Sequence, residues 1–324
     1  MKKTLKTIDL FAGIGGIRKA FEKAGFETVF ANDNDPKCKI TYDLNFSAPK
    51  LAVADIKTIR TSLIPHYDFL LAGFPCQSFS IAGYRKGFKD QRGNLFFEIA
   101  RILDKTKPAG LFLENVKNLQ GHDDGKTFRI IKETLEELGY HIKYKILNSM
   151  YYGNIPQNRE RIYIVGFRKK LYADHFKFPS QKPLTKTFKK ILEKKVDVKY
   201  YYEGKPLYKK LLKYKISEGT VYQWRRIYIR ENKKGVCPTL TANMGTGGHN
   251  VPIIKDGKRI RKLTPLECAR LQGFPARFRL PNNLPDSTIY KQLGNSVTVS
   301  VVEAIAKQII DVINKNVKTQ NKYN

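Results

Sequence analysis

A chain of 324 residues has room for one large domain, or a large and a small one, around a sizeable core, which excludes a peptide-scale binder. Its 60 Lys and Arg against 29 Asp and Glu leave a formal charge of +31. So one-sided a balance repels itself unless a polyanion such as nucleic acid is the partner, although a Lys-, Asn- and Tyr-rich composition also leaves many lysines merely solvated. Cys38, Cys76, Cys237 and Cys268 are widely spaced with no CxxC pair, which speaks against a disulfide framework or a zinc knuckle and fits a reducing compartment. No apolar segment of signal-peptide length follows the basic start, and no run reaches membrane-spanning length, so a soluble intracellular protein without a metal is expected.

Leu5 to Leu10 reads as a first strand, followed by the turn Phe11-Ala12-Gly13-Ile14-Gly15-Gly16 and a helix with Ile17, Ala20, Phe21 and Ala24 on one face. Strand, glycine turn and helix in that order receive nucleotide-like cofactors, because Gly13 and Gly15 let the backbone turn sharply and approach a ligand. Arg18 stands where a dinucleotide fingerprint wants a third glycine, so a nicotinamide cofactor fits poorly. A second strand, Thr28 to Ala31, leads to Asp33, placed 20 residues beyond Gly13 where a ribose hydroxyl would be gripped. Pro36 to Asn45 reads as a helix and Leu51 to Ala54 as a third strand ending at Asp55-Ile56. Asp33 and Asp55 serve equally well as turn or cap residues when each is taken alone.

The short apolar run Asp68 to Ala72 reads as a strand buried on both faces, stopped by Gly73 and Pro75. It delivers Cys76, with Gln77 and Ser80 after it, to a loop at the carboxyl end of a strand, where open α/β sheets place their ligands. A lone cysteine is more often an inert buried hydrophobe. The following segment to Gly93, with Arg85, Lys86 and Arg92 among three glycines, looks like a basic loop able to close over a phosphate backbone, or a solvated one. Leu95, Phe96, Ile99, Ile102 and Leu103 mark a helix face, and Gly110 to Leu113 a strand ending in Glu114-Asn115-Val116. A helix over Thr127 to Leu138 and strands over Ile142 to Leu147 and Ile162 to Val165 continue the alternation. Arg159 and Arg161, two apart in an extended run, would point together, as an anion or base clamp or as surface ion-pairing residues.

Near residue 180 the strand and helix alternation fades into a lysine-rich stretch with interleaved tyrosines. That texture suits a nucleic-acid surface, while Tyr200-Tyr201-Tyr202 equally suits the core of a small sheet. Gln223-Trp224-Arg225-Arg226-Ile227-Tyr228 and the glycine-rich segment from Thr239 to Asn250 carry groups able to read base edges. A last helix with Val302, Ile305, Ala306, Ile309 and Ile313 on one face needs a large core to pack on, and a frayed tail is expected beyond Asn314.

The ordered series Asp9 to Gly16, Pro75-Cys76-Gln77, Glu114-Asn115-Val116, Gln157 to Arg161, Arg261 to Pro265 with Glu267 to Arg270, and Gly294-Asn295-Ser296 resembles the DNA (cytosine-5)-methyltransferases of bacterial restriction-modification systems. The resemblance implies an α/β fold, a Rossmann-like, mostly parallel sheet of the S-adenosylmethionine-dependent methyltransferases, with a smaller target-recognition domain. Expected boundaries are 1–182 for the catalytic and cofactor-binding domain, 183–285 for target recognition, and 286–324 for a C-terminal helix returning to the first. It further implies that Cys76 adds to cytosine C6, that Glu114 holds the base at N3 and its amino group, and that Arg159 and Arg161 hold the base and its surroundings. The target cytosine leaves the duplex for the pocket. S-adenosylmethionine, released as S-adenosylhomocysteine, would meet Phe11 and Ile56 on either side of its adenine, Asp33 at the ribose and Asp55 at the adenine amino group. Gly13, Gly15, Pro75, Leu95 and Asn295 would complete that pocket. Asn34 departs from the bulky tryptophan that some relatives carry beside the ribose-binding acid.

The same resemblance counts Gln77, Ser80, Arg85, Lys86, Arg92, Gln223 and Arg226 as DNA contacts, with Gln223 filling the gap left by the flipped base and Arg226 reading bases. It implies a monomer acting on double-stranded DNA in the bacterial cytoplasm, drawn to the nucleoid, paired with an endonuclease of the same specificity. A transfer RNA cytosine-5 methyltransferase would share nearly all this chemistry, and a catalytically inactive DNA-binding relative is the non-enzyme alternative. The long variable segment and the intact Cys76 and Glu114 stand against these two.

Overall fold

The computed structural model describes residues 4–75, 95–225, 227–232, 235–245 and 251–320. The chain divides into two compact units, one of Met1–Leu147, Glu160–Ser180 and Val301–Asn324, the other of Asn148–Arg159 and Gln181–Ser300.

The first unit grows around β1 (Lys6–Leu10), whose Thr7 to Leu10 are all buried. After the glycine turn come α1 (Gly16–Ala24), β2 (Glu27–Asp33), α2 (Pro36–Asn45), β3 (Ala52–Val53), β4 (Phe69–Gly73), α3 (Leu95–Thr106), β5 (Gly110–Val116), α4 (Lys126–Glu137) and β6 (His141–Asn148). The chain then contributes α5 (Ser149–Gly153) and β7 (Gln157–Asn158) to the second unit before β8 (Glu160–Phe167) and α6 (Lys170–His175). The seven-stranded sheet runs β3-β2-β1-β4-β5-β8-β6. Its first five strands pair in parallel, and β8 runs antiparallel to β5. The expected α/β class with a mostly parallel sheet is therefore what the chain adopts.

Because β1, β4 and β5 are central, both of their faces are buried, which is why β4 and the first half of β5 are continuous apolar runs, while β1 carries Thr7 and Asp9 into the same interior. Ile8, Leu70 and Leu111 pack with Phe96, Ile99, Ile102 and Leu103 of α3 in the main core. Each side chain buried this completely contributes about 1.5–3 kcal/mol. On the other side, Phe21 of α1 meets Phe26 and Phe112 edge to face. The C-terminal helix, Val299–Gln320, adds buried Val302, Ile305 and Ile309 to this unit, and Lys23 pairs with its Glu303 at 2.5 Å.

Two sequence expectations need correction. The third strand spans two residues rather than four, because it lies at the sheet edge and Asp55 at once caps a single 3-10 turn, Ile56–Thr58. The last helix continues through Gln320 rather than fraying beyond Asn314.

The second unit holds β9 (Tyr222–Arg225), β10 (Tyr228–Glu231), β11 (Cys237–Pro238), β12 (Pro252–Asp256) and β13 (Arg259–Lys262), with α7 (Tyr208–Lys213), α8 (Pro265–Leu271) and α9 (Asp286–Asn295). Four of these strands form an antiparallel sheet in the order β10-β9-β12-β13, and β11 pairs with β7. Tyr202, Leu211, Tyr222, Ile229, Ile253 and Ile260 make its core. Tyr200 and Tyr202 are thus largely interior, as the small-sheet reading of the tyrosine run required. A second anchor is ionic. Fully buried Arg261 makes a two-pronged pair with Glu267 at 2.8 and 2.9 Å and reaches Asp256 at 2.6 Å, while Glu267 also accepts the backbone amides of Thr264 and Glu193. Removing one partner of so buried a pair typically costs about 3–5 kcal/mol.

Candidate active site

At the carboxyl end of β1 the backbone turns through left-handed conformations at Phe11 (φ 52°), Gly13 (φ 54°) and Gly15 (φ 81°). The two glycines differ in their surroundings. A Cβ on Gly15 would fall 2.3 Å from the Phe46 ring, so packing forbids a side chain there, whereas a Cβ on Gly13 would meet nothing within 4 Å. Gly13 borders open space. Its amide donates to Asp33 Oδ2 at 2.8 Å, and the Asp35 amide donates to Asp33 Oδ1 at 2.9 Å. Burial raises the Asp33 carboxyl above its ordinary value in spite of these amides. The last residue of β2 is thereby locked onto the glycine turn.

Phe11, Ile56 and Leu95 are brought into one apolar cluster, Ile56 buried and the other two half-buried. Asp55 is exposed and caps its turn by accepting from the Lys57 amide at 3.0 Å, so it has the structural role that is open to it as a turn residue. Asn32 and Asp9, which no sequence motif marks with a role, also shape this turn. Asn32 donates to the Ala52 and Ala54 carbonyls and fixes β3 beside β2. Asp9 is wholly buried, accepts from the Arg18 amide at 3.3 Å through Oδ2, and has no partner for Oδ1 among the described residues. Burial pushes its carboxyl up to about 7. The signal was a carboxylate between Ile8 and Leu10 in a central strand. An open cradle at Gly13, an acid held at the end of β2 and an orphaned carboxyl oxygen beneath them fit a small cofactor with donor groups.

The second half of this unit's site lies at the ends of β4 and β5. Gly73 pairs with Glu114 across the two strands, and a Cβ on Gly73 would sit 3.7 Å from Glu114 Oε2. Arg161 on β8 approaches Glu114 Oε1 with Nε at 3.2 Å, both side chains largely buried, and its Nη1 donates to the Glu160 carbonyl at 2.8 Å. Asn115 had no role assigned from sequence. Its Nδ2 donates to the Phe74 carbonyl at 2.9 Å and its Oδ1 accepts the Val116 amide, so it fixes the peptide leading into Pro75. Cys76, Gln77, Ser80, Arg85, Lys86 and Arg92 follow Pro75 and lie outside the described residues. The other cysteines, Cys38, Cys237 and Cys268, are buried and not joined in a disulfide. Burial pushes the Cys237 and Cys268 thiols well up, which makes them poor nucleophiles.

Arg159 belongs to the second unit, and its partners differ from those of Arg161. Nη1 donates to the Leu240 carbonyl at 2.7 Å and Nη2 to those of Gly294 and Ser296 at 3.3 and 2.6 Å. Gln157 similarly donates to the Leu271 carbonyl and accepts the Leu240 amide. The interruption between two strands explains the difference: Arg159 sits between β7 and β8 rather than within one strand, so side-chain alternation does not carry across it. In the same unit Asn295 ends α9 exposed, next to a Gly294 whose Cβ would strike the Thr241 backbone at 2.3 Å. Gln223 is 4% exposed within β9, and Arg226 lies outside the described residues.

A mostly parallel sheet with a glycine turn after its first strand and acids at its strand ends defines a Rossmann-like, nucleotide-cofactor fold, and comparison with known proteins narrows it to the methyltransferases. The model of the C-5 cytosine-specific DNA methylase family matches residues 5–311. The type II methyltransferase M.Bsp6I of Bacillus sp. (strain RFL6) is 55% identical over 311 residues, covering 94% of this chain and 98% of that protein. M.HhaI of Haemophilus parahaemolyticus is 41% identical over 327 residues, covering 96% and 95%. Among solved structures, the Entamoeba histolytica methyltransferase EhMeth superposes with a TM-score of 0.76 at 20% identity, covering 96% of this chain and 99% of that one. A putative DNA modification methyltransferase encoded within an E. coli prophage gives 0.72 at 22%, covering 96% and 100%. At these identities the structures speak for the fold. The chain belongs to the C-5 cytosine-specific DNA methylases and is a DNA (cytosine-5) methyltransferase, as the motif series implied. No helix among the described residues is long and apolar enough to cross a membrane.

Proposed function

We propose that this chain methylates C5 of one cytosine in a short, specific sequence of double-stranded DNA through a covalent adduct between Cys76 and C6. The observation that carries the reading is the Glu114–Arg161 pair at 3.2 Å, set beside Gly73, the last residue of the strand that leads into Pro75 and Cys76. Cytosine C5 is a poor nucleophile. Addition of the Cys76 thiolate to C6 breaks the C5–C6 double bond and moves its electron pair to C5, while Glu114 supplies the proton and hydrogen bonds that N3 and the amino group then need. Arg161 Nε, 3.2 Å from Glu114 Oε1, orients the protonated carboxyl, so the acid meets the base edge in one geometry. After methylation N3 returns its proton to Glu114, and loss of the C5 proton to water restores the double bond and expels the thiolate.

S-adenosylmethionine, when bound, supplies an electrophilic methyl group on its sulfonium. Phe11, Ile56 and Leu95 are assigned to its adenine, Asp33 to its ribose, Asp55 to the adenine amino group, and Gly13, Gly15, Pro75 and Asn295 to the walls. S-adenosylhomocysteine is then the product. In the second unit Arg159 holds the Leu240 and Ser296 segments in place rather than touching the base first. Phosphate contacts are assigned to Arg85, Lys86 and Arg92, and base contacts to Gln77, Ser80 and Arg226, with Gln223 supporting β9. The chain acts as a monomer on bacterial DNA in the cytoplasm, alongside an endonuclease of matching specificity. Labelled methyl transfer to unmethylated genomic DNA and to transfer RNA, with Cys76→Ala in parallel and bisulfite sequencing of the DNA, tests this. Label at cytosines of one short motif with a silent variant supports it; label on RNA alone moves the substrate to RNA, and none on either leaves a non-catalytic relative.

A further inference from the structure

The turn that carries Asp55 and Ile56 has little of the sheet to hold it. β3 ends at Val53 on the sheet edge, and its last ties to β2 are the Ala54 amide on the Asp33 carbonyl at 3.1 Å and the Asn32 side chain on the Ala54 carbonyl at 2.9 Å. Two short 3-10 turns follow, Ile56–Thr58 and Thr61–Leu63, and β4 does not begin until Phe69. Such turns bond poorly within themselves, so the direction of this stretch depends on what grips it from outside. Arg101 of α3 does so. Its Nη2 donates to the Ile56 and Ile59 carbonyls, each at 3.2 Å, and its Nε donates to Glu98 Oε2 at 2.7 Å. Among the described residues it is the one side chain from outside that hydrogen-bonds into residues 55–64. An ion pair one turn apart on a helix adds little to stability by itself, but here it fixes the guanidinium plane and turns Nη2 to the two carbonyls. A lysine ammonium has no such planar fork. The same helix begins at Leu95, about 9 Å back at 1.5 Å per residue. One rigid element thus carries Leu95 and grips Ile56, the two residues that join Phe11 in the apolar cluster.

We propose that Arg101, oriented by Glu98, is a positioning residue that sets the adenine end of the cofactor site. It holds the turn so that Ile56 lies against the adenine and the Asp55 carboxylate meets the amino group. The proposal rests on the cofactor assignment made above. Asp55 is exposed and Ile56 beside it is buried, so a loosened turn displaces the carboxylate more than the anchored isoleucine. Arg101 therefore acts on recognition of the amino group more than on the overall grip on the cofactor.

The test needs neither DNA nor turnover. Calorimetry compares S-adenosylhomocysteine with S-inosylhomocysteine, which carries an oxo group in place of the adenine amino group, on the intact protein, Arg101→Ala, Arg101→Lys and Asp55→Ala. The intact protein is expected to prefer the adenine form by about tenfold or more, the scale of a hydrogen bond to a charged group. Arg101→Ala should weaken the adenine form about tenfold and the inosine form less than about threefold. Arg101→Lys, which keeps the charge and the stem but not the fork, should follow Arg101→Ala and takes its place if that variant does not fold. Asp55→Ala should abolish the preference, and adding Arg101→Ala to it should change the ratio no further. Equal weakening of both ligands would make Arg101 a brace of the fold and overturn the proposal, as would no weakening of either. If the intact protein binds both ligands equally, Asp55 does not meet the amino group and the proposal falls. If it binds neither, the cofactor assignment itself falls and the proposal with it.

Discussion

Replacing Asn115 by alanine removes both hydrogen bonds that hold the entry to Cys76, the one from Nδ2 to the Phe74 carbonyl at 2.9 Å and the one from the Val116 amide to Oδ1 at 2.8 Å. Both Asn115 and Phe74 are buried, so water does not reach the Phe74 carbonyl, whereas Val116 is exposed and its amide can turn to water. A buried polar group left unmet costs about 1–3 kcal/mol. At about 2 °C per kcal/mol for a unit of this size, the melting temperature should fall by about 2–6 °C. The catalytic effect should be larger than the loss of stability suggests. The freed Phe74–Pro75 peptide sets the direction of the chain into Cys76, and a shift of about 1 Å in a reacting group costs on the order of 100-fold. Thermal unfolding and single-turnover methyl transfer, at saturating DNA and S-adenosylmethionine, read the two effects separately. A variant that melts earlier yet turns over at the original rate would show that Asn115 holds the fold and not the nucleophile, and one unchanged in both would refute the geometry itself.

Asp9 gives a pH signature. Its carboxyl titrates at about 7 in the folded protein and near 3.8 when unfolded, so the folded state binds its proton more tightly. The stabilisation is full below the unfolded value and is lost as pH rises through about 7, so Asp9→Asn should gain on the unaltered protein between about pH 4 and 7, by up to about 4 kcal/mol. Parallel stability curves in urea would contradict this. At the glycine turn, Gly15→Ala should destabilise the fold through the Phe46 clash, while Gly13→Ala, with open space at its Cβ, should cost about 1 kcal/mol from its left-handed backbone but raise the KM for S-adenosylmethionine. Equal effects of the two on KM and melting temperature would remove the cradle. Finally, the charge of +31 predicts DNA affinity falling steeply with salt, with a log–log slope of about −0.9 per phosphate contacted; a flat dependence would sink the polyanion argument.

The fold was legible wherever burial left one pattern. β4 is a continuous apolar run ended by Gly73, and α1 and α3 show their helical faces because those faces meet a sheet. Asp33 could be placed because the strand before it ends at a turn whose amide it accepts. What the sequence hid depended on neighbours distant along the chain. The third strand shrank because it has one neighbour, β2, and nothing beyond it. Arg159 and Arg161 look equivalent in a run of five residues, yet one binds carbonyls in the 240s and 290s and the other binds Glu114, a separation no local spacing encodes. Asn115 carries no period or charge to mark it, and its role depends on a carbonyl 41 residues earlier. Gln223 is marked by position alone, and only the register of β9 against β10 and β12 buries it.

The most direct test of the central claim uses a duplex carrying the mapped site with 5-fluorocytosine at the target position, incubated with S-adenosylmethionine. Fluorine at C5 cannot leave as a proton, so the bond from Cys76 to C6 should persist as a denaturation-resistant complex whose peptide, identified by mass spectrometry, contains Cys76. Cys76→Ala should form none and Glu114→Gln little. Methylation of ordinary DNA without any such complex, or a complex formed through another residue, would contradict the account.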